Sequence, residues 1–380
     1  MKNFVKLIER AHEERFSAAV NRITARKLPV AFLSVELIAP AVESVKNLRA
    51  QGLNITNLIV VDDSPPPAGL EFNVVHVSRA AKIFPRPEYV FTDDIFALTF
   101  AKNFLADCKI ILPAQIRGKD PDEVYEIFMA HLDELREVYE SLIDEESKKA
   151  FCGYWFSCIA NRIDSIIFAN APHYFLEGFT PKAGDIFIDG GCYMGQNAAQ
   201  FAGLGCKVYS FEMNRTNFNL AVNLAAEKNF VLENLGLGSY KHQARYIDAQ
   251  GASCLAPGGD HSTTIVTLDD YVLEKKLPRV DCIKLDVEGS ELDVLKGAAA
   301  TITCHKPLLM LSAYHKLDDL WTLMNFVKSL RSDYEFALRQ YSTDYATAPH
   351  FFDENQKILC ENLGVDLRWF FYEETVLFAR

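Results

Sequence analysis

The sequence predicts an α/β protein with two Rossmann-like parallel sheets, the smaller one first, joined by a helical connector. Three observations carry this. Short apolar runs alternate with segments of helical periodicity in residues 1–118 and again from residue 179 to the end. At 380 residues the chain exceeds what one ordinary core organises. A glycine-rich strand-to-helix loop, Asp189-Gly190-Gly191-Cys192-Tyr193-Met194-Gly195, opens the second alternating stretch and has no counterpart in the first.

Residues 1–26 read as one amphipathic helix. Val30 to Leu33 reads as a buried strand, and Ala41 to Gln51 as a helix closed by Gly52. Ile55 to Val61 is a second strand, stopped by Asp62-Asp63-Ser64 and three prolines. Val74 to Val77 and Lys109 to Leu112 complete the first sheet, with a helix near Asp94 to Leu105. Ser34 to Pro40, after the first strand, contains no glycine. The backbone there is not built to approach a pyrophosphate. Asp62-Asp63 reads as a solvated turn. Residues 119–178 are expected to be helical. From 179 onward, strands are expected at 185–189, 207–211, 229–234, 243–248, 280–286, 307–312, 334–339 and 375–379.

Hydrophobic residues make up 49% of the chain and charged residues 24%, the balance of a globular protein. The net charge of -12 argues against nucleic acid and against anionic membranes as partners. No run has the roughly 18 apolar residues of a membrane span, and the N-terminus lacks a signal-peptide pattern. The nine cysteines form no CxxC pair and read as reduced thiols. A cytoplasmic location is expected.

Three stretches carry the chemistry. In the loop, glycines let a ligand lie against the backbone, and free N–H groups at the helix start suit a carboxylate. An acid at the strand end, Asp189, suits an ammonium. That combination fits the amino-acid part of S-adenosylmethionine better than a nicotinamide dinucleotide, which favours G-x-G-x-x-G. Glu212, at the tip of the next strand, can accept both hydroxyls of a ribose. Asn214 reads as the cap of the following helix. The third stretch is Asp281-Cys282-Ile283-Lys284-Leu285-Asp286-Val287-Glu288-Gly289-Ser290-Glu291. Such crowded carboxylates need a cation, a base role or hydrogen-bond donors to compensate their repulsion. Asp286 suits either facing a cationic methyl donor or accepting a hydroxyl proton. Glu291 reads as a helix N-terminal acid. His315, beyond the strand at 307–312, is a rival base or a structural histidine. Asp286, Glu288 and His315 have no defining metal-ligand spacing, and no metal is assigned.

Together these stretches resemble the FkbM family of methyltransferases. The match rests on DIFIDGGCYMGQN at 185–197, Phe211-Glu212, Thr267-Leu268-Asp269 and above all IKLDVEGSELDVLKG at 283–297. It continues in Leu311 to Lys316, Asp318 to Trp321, Leu338 to Ser342 and Glu374 to Phe378, and covers about half the chain. The resemblance implies a seven-stranded class I methyltransferase sheet and S-adenosylmethionine as cofactor. It implies transfer to a hydroxyl oxygen on a sugar, glycan, polyketide or related small molecule. By position it assigns Asp189, Gly190, Gly191, Gly195 and Glu212 to the cofactor site, and we add Asn234 to that set. It places Asp286, Glu288 and His315 near the reacting centre. Met213 stands where the family often has proline. Thr343 to Tyr372 is longer than the expected connection and reads as a substrate lid or a homodimer contact. Two other readings stay open: a methyltransferase-fold scaffold without activity, and a NAD-linked enzyme.

Overall fold

Helix–strand alternation closes into two parallel-type sheets in the computed structural model. It describes residues 2–35, 37–92, 97–111, 120–162, 166–249, 252–342, 362 and 373–380. The chain divides into two compact units, one of Met1–Arg136, Lys148–Ala169 and Gln340–Glu373, the other of Glu137–Ser147, Asn170–Arg339 and Glu374–Arg380.

The first unit begins with α1 (Lys2–Glu14) and α2 (Phe16–Arg26). The single helix expected over 1–26 is thus two, broken where Arg15 adopts ψ 153°. No glycine or proline announces that break. Next come β1 (Val30–Ser34), α3 (Ile38–Ala50), β2 (Ile55–Val60), β3 (Asn73–His76), β4 (Tyr89–Thr92), α4 (Ala97–Phe104) and β5 (Lys109–Ile111). The sheet order is β3-β2-β1-β4-β5, and every pair is parallel. β4 was not expected: it spans four residues just after Phe84-Pro85-Arg86-Pro87, a sequence that reads as loop. Alternate β1 residues enter different cores, Ala31 and Leu33 on one face, Val30 and Phe32 on the other. Both faces are therefore covered, as parallel sheets require. Asp62 is more than a solvated turn. Its carboxylate accepts from Ile38 N (3.0 Å) at the start of α3 and from Ser64 N and Oγ (2.9 and 2.7 Å). The hydrogen bonds from Ser64, with that from Ile38, hold its pKa below the usual carboxylate value.

The helices α5 (Pro121–Ala130), α6 (Leu132–Ser141) and α7 (Glu145–Ala160) follow. Asp120 caps α5 through Asp122 N and Glu123 N, with Pro121 at the first helical position.

The second unit holds β6 (Ile186–Gly190), α8 (Gln196–Gly203), β7 (Lys207–Phe211), α9 (Arg215–Lys228) and β8 (Val231–Glu233). Four short strands come next: β9 (Gly236–Leu237), β10 (His242–Ile247), β11 (Cys254–Leu255) and β12 (His261–Val266). Then come α10 (Leu268–Glu274), β13 (Cys282–Leu285), α11 (Glu291–Lys296), α12 (Ala299–His305), β14 (Leu308–Ser312), α13 (Asp319–Leu330), β15 (Phe336–Ser342) and β16 (Glu373–Ala379). The main sheet has seven strands in the order β15-β16-β14-β13-β6-β7-β8, with β16 antiparallel to β14. The expected strand at 243–248 exists but lies elsewhere. β10 belongs to a separate four-stranded sheet, β11-β10-β12-β9. Periodicity announces a strand without naming its partner, and two-residue strands such as β9 and β11 carry no period at all.

Thr343 to Tyr372, read as lid or dimer contact, lies outside the described residues except for Asn362. No described helix is long and apolar enough to cross a membrane. The cysteines among the described residues are all free thiols.

Candidate active site

The C-terminal ends of β6, β7 and β13 meet at one edge of the main sheet, and the four-stranded sheet closes over them. Between them lies a cleft that is partly open to solvent. Gly191, Tyr193, Glu212 and Met213 line one side, and Asp286, Val287, Glu288 and Ser290 the other. Leu235, Gly236, Leu237, Ser253, Leu255 and Ile265 supply the largely apolar remainder.

Why the loop follows this path is visible in its backbone. Gly191 N and Cys192 N both donate to Phe211 O at 3.0 and 3.1 Å, folding the loop back across β7. Gly191 has φ 78°, and a Cβ there would sit 1.8 Å from the carbonyl oxygen of Asp286. Only glycine lets the loop touch the tip of β13, and this contact brings the loop and the acidic tip together. Gly191→Ala should therefore cost roughly 3 kcal/mol, from backbone strain and overpacking combined. Gly184→Ala makes the comparison: its φ is 88°, but nothing lies within 4 Å of the added carbon. Thermal melts of the two variants should separate clearly, and equal losses would remove the contact from the explanation.

Glu212 pins the same loop from the other side. Its Oε2 accepts from Tyr193 N (2.9 Å) and its Oε1 from Asn214 N (2.8 Å). Each carboxylate oxygen can accept one further hydrogen bond, and Glu212 lines the cleft. Burial pushes the Glu212 pKa up to about 7, against those two donors. Asn214 caps α9 as expected, accepting from Thr216 N (2.7 Å) and Asn217 N (3.2 Å). Its amide also donates to Asp248 (2.7 Å) and to Ser253 Oγ (2.8 Å), tying the four-stranded sheet to the tip of β7.

Three of the expected cofactor residues stand off the cleft wall, together with Gly190. Asp189 is fully buried. The β6–β13 register sets it opposite Lys284, whose ammonium lies 3.2 Å from Asp189 Oδ1 and donates to Gly191 O at 2.6 Å. The carboxylate that seemed suited to a ligand's ammonium thus has a protein ammonium instead. Burial alone would lower the Lys284 pKa, but Asp189 and Asp286 reverse this and hold it above the usual value. Gly195 starts α8 with φ 86°, next to the ring of Phe230. Asn234 donates to Glu212 O (2.8 Å) and accepts from Arg215 (3.0 Å), so it braces the β7 tip. Leu235 and Gly236, its neighbours, form the wall.

The acidic tip is the other end of the cleft. Asp286 accepts from Tyr174 Oη (2.9 Å) and Tyr314 Oη (3.4 Å), and lies 3.9 Å from the Lys284 ammonium. Burial opposes ionisation of Asp286, but Lys284 and His315 outweigh it and keep its pKa low. Glu288 sits in a left-handed conformation (φ 52°), which turns its side chain back toward the cleft wall. Burial raises its pKa to about 7. His315 is brought beside both, its Nε2 3.6 Å from Asp286 Oδ1 and 3.5 Å from Glu288 Oε2. It does not line the cleft. Its Nδ1 lies 2.9 Å from Glu291 Oε1. Burial opposes protonation, yet Glu291, Asp286 and Glu288 together raise the His315 pKa to about 9. Three carboxylates thus surround the ring, Glu291 on Nδ1 and Asp286 and Glu288 beside Nε2. Glu291 is not a simple helix-end acid. Buried completely, it holds Val287 N (2.9 Å) as well as His315.

Tyr174 was missed by sequence reading. It is fully buried, 112 residues from Asp286 in the chain, and an isolated tyrosine in a loop gives no sign of such a contact. Thr267-Leu268-Asp269, by contrast, proves structural: Thr267 caps α10, and Asp269 accepts from Ala300 N and Thr301 N at the start of α12.

A family model described as the methyltransferase FkbM domain matches residues 189–338. Among solved structures, a methyltransferase FkbM from Methylobacillus flagellatus KT is similar over 100% of this chain and 98% of its own, with a TM-score of 0.63 at 17% identity. That likeness shows the fold. A precorrin-6y C5,15-methyltransferase from Geobacter metallireducens GS-15 aligns with 56% of this chain and 93% of its own, at 10% identity and a TM-score of 0.33. No curated protein matches the chain. The strand-end carboxylates, the glycine loop and most of the seven-stranded sheet fall in or beside residues 189–338, the segment that matches the methyltransferase FkbM domain.

Proposed function

We propose that the domain transfers a methyl group from S-adenosylmethionine to a hydroxyl oxygen of a small polar acceptor, such as a sugar or polyketide. The single observation that carries this is the layout of the cleft. A ribose-type acceptor, Glu212, stands on one side, the acidic pair Asp286 and Glu288 on the other, and glycine backbone lies between. Glu212 would receive the ribose hydroxyls. The apolar wall of Leu235, Leu237, Leu255 and Ile265 suits a flat base. The amino-acid part would lie along the loop, with the sulfonium toward Asp286. Bound S-adenosylmethionine would supply a methyl group already activated by its sulfonium for in-line attack by the acceptor oxygen, with the thioether as leaving group, and Asp286 and Glu288 would take the hydroxyl proton. The main tasks of the protein are positioning and proton removal.

A pH test follows from Glu212. Its raised value of about 7 means that the free protein holds it protonated on the acid side. Ribose hydroxyls donate best to the charged form, so binding should tighten as pH rises through 7 and level off above it. S-adenosylmethionine affinity is expected to be about tenfold higher at pH 8 than at pH 6, with proton release on binding at pH 6. Calorimetry in buffers of different ionisation heat reads both. Glu212→Gln should flatten the profile. Folded protein that binds no S-adenosylmethionine at any of these pH values would overturn the proposal.

A further inference from the structure

We propose that Asp286, Glu288 and His315 form a divalent-cation site at the acidic end of the cleft. It deepens the methyl-transfer reading, on which its role in catalysis rests, although binding of the ion does not depend on that reading. The starting point is an unsatisfied atom. His315 Nε2 is buried and lacks a hydrogen-bond partner, in a side chain only 9% exposed. It points at two carboxylate oxygens, Asp286 Oδ1 at 3.6 Å and Glu288 Oε2 at 3.5 Å. These separations are too long for hydrogen bonds. Two ligands each about 2.1 Å from one ion lie about 3.0 Å apart at an octahedral angle and about 3.4 Å apart at a tetrahedral one, so a shift of a few tenths of an ångström from the observed 3.5 and 3.6 Å would let these atoms share an ion. All three ligand atoms lie within 4.8 Å of one another.

The surroundings support the same reading. Glu291 is 1% exposed at its side chain, and its Oε1 lies 2.9 Å from His315 Nδ1. A carboxylate on the far nitrogen fixes the ring and aims Nε2 outward, the arrangement found behind metal-bound histidines. Tyr174 fixes the other oxygen of Asp286 in the same way. Glu288 reaches the cluster through its left-handed backbone, followed by Gly289 at φ 88°. A non-glycine residue held there is strained, and such strain clusters at ligand clamps. One imidazole and two carboxylates suit manganese, magnesium or zinc. Asp286 and Glu288 face the cleft, so the remaining coordination positions would open toward an acceptor oxygen.

The alternative occupant of the same atoms is a proton on Nε2, held between the two acids. Manganese binding separates the two. Electron paramagnetic resonance of free Mn²⁺, titrated with the intact chain, should show one site per chain. His315→Ala and Glu288→Gln should each weaken it at least tenfold, and Glu291→Gln by about 10–100-fold through the lost support of the ring. Circular dichroism and thermal melts of the same samples report that each variant is folded, and S-adenosylhomocysteine binding by the wild type, read separately, keeps the two proposals apart. A folded wild-type chain that binds S-adenosylhomocysteine but takes up no Mn²⁺ at millimolar concentration would overturn the cation site and leave methyl transfer standing. Mn²⁺ uptake that is unchanged in both His315→Ala and Glu288→Gln would overturn it as well. Mn²⁺ uptake lost in those variants, with no nucleoside binding by the wild type, would uphold the site and reject the methyl-transfer reading.

Discussion

Glu212→Ala is expected to weaken S-adenosylmethionine binding by about 100-fold or more. The carboxylate lies on the cleft wall with one backbone donor on each oxygen, and in the proposed complex each oxygen would accept one ribose hydroxyl. Hydrogen bonds to charged groups contribute about 1.5–3 kcal/mol each, so losing two removes at least about 3 kcal/mol, which is over 100-fold in affinity. The alanine also releases Tyr193 N and Asn214 N, which loosens the loop and the start of α9. Glu212→Gln separates these effects. Its amide oxygen can still accept from one backbone N–H, while the bidentate, charged acceptor is gone. Calorimetry should show a large loss for both variants, greater for alanine. An affinity within threefold of wild type in Glu212→Ala would remove the ribose contact.

Lys284→Met is expected to give the largest loss of stability. Lys284 is 1% exposed and compensates two carboxylates, Asp189 at 3.2 Å and Asp286 at 3.9 Å. Asp189 is wholly buried and also accepts from Ser210 Oγ (3.1 Å). Removing the ammonium leaves an uncompensated buried charge, which typically costs about 3–5 kcal/mol. For a chain of 380 residues that lowers the melting temperature by roughly 5 °C. The double variant Asp189→Asn/Lys284→Met removes the charge along with its partner and should regain a large part of the loss. The double variant melting no higher than Lys284→Met alone would show that the pair does not act as a unit.

Much of the site was legible because its signals are local. The glycines at 190, 191 and 195, the acid ending β7 and the acids ending β13 each sit where a strand stops, and strand ends on one edge of a parallel sheet converge. What stayed hidden depends on pairing. Lys284 reads as an interruption in an apolar run. Its meaning appears only when the register sets it beside Asp189, 95 positions earlier in the chain. The same pairing explains why Asp189 serves the interior of the sheet, although its place before the glycines suggested a ligand. Nothing around His315 in the sequence announces that Glu291, 24 positions earlier, sits on its Nδ1. The roof of the cleft left almost no trace, since β9 and β11 are two residues each and Ser253, Leu255 and Ile265 are ordinary residues for any short strand. The first unit was legible as a parallel sheet through its apolar runs, except at β4, which follows Pro85 and Pro87 and reads as loop.

The most direct test of the account is a crystal structure of the intact chain with S-adenosylhomocysteine. It should show both ribose hydroxyls on Glu212, the base against Leu255 and Ile265, and the sulfur directed at the end of the cleft formed by Asp286 and Glu288. The nucleoside bound elsewhere, or in this cleft with its ribose away from Glu212 and its sulfur away from the acidic tip, would contradict it.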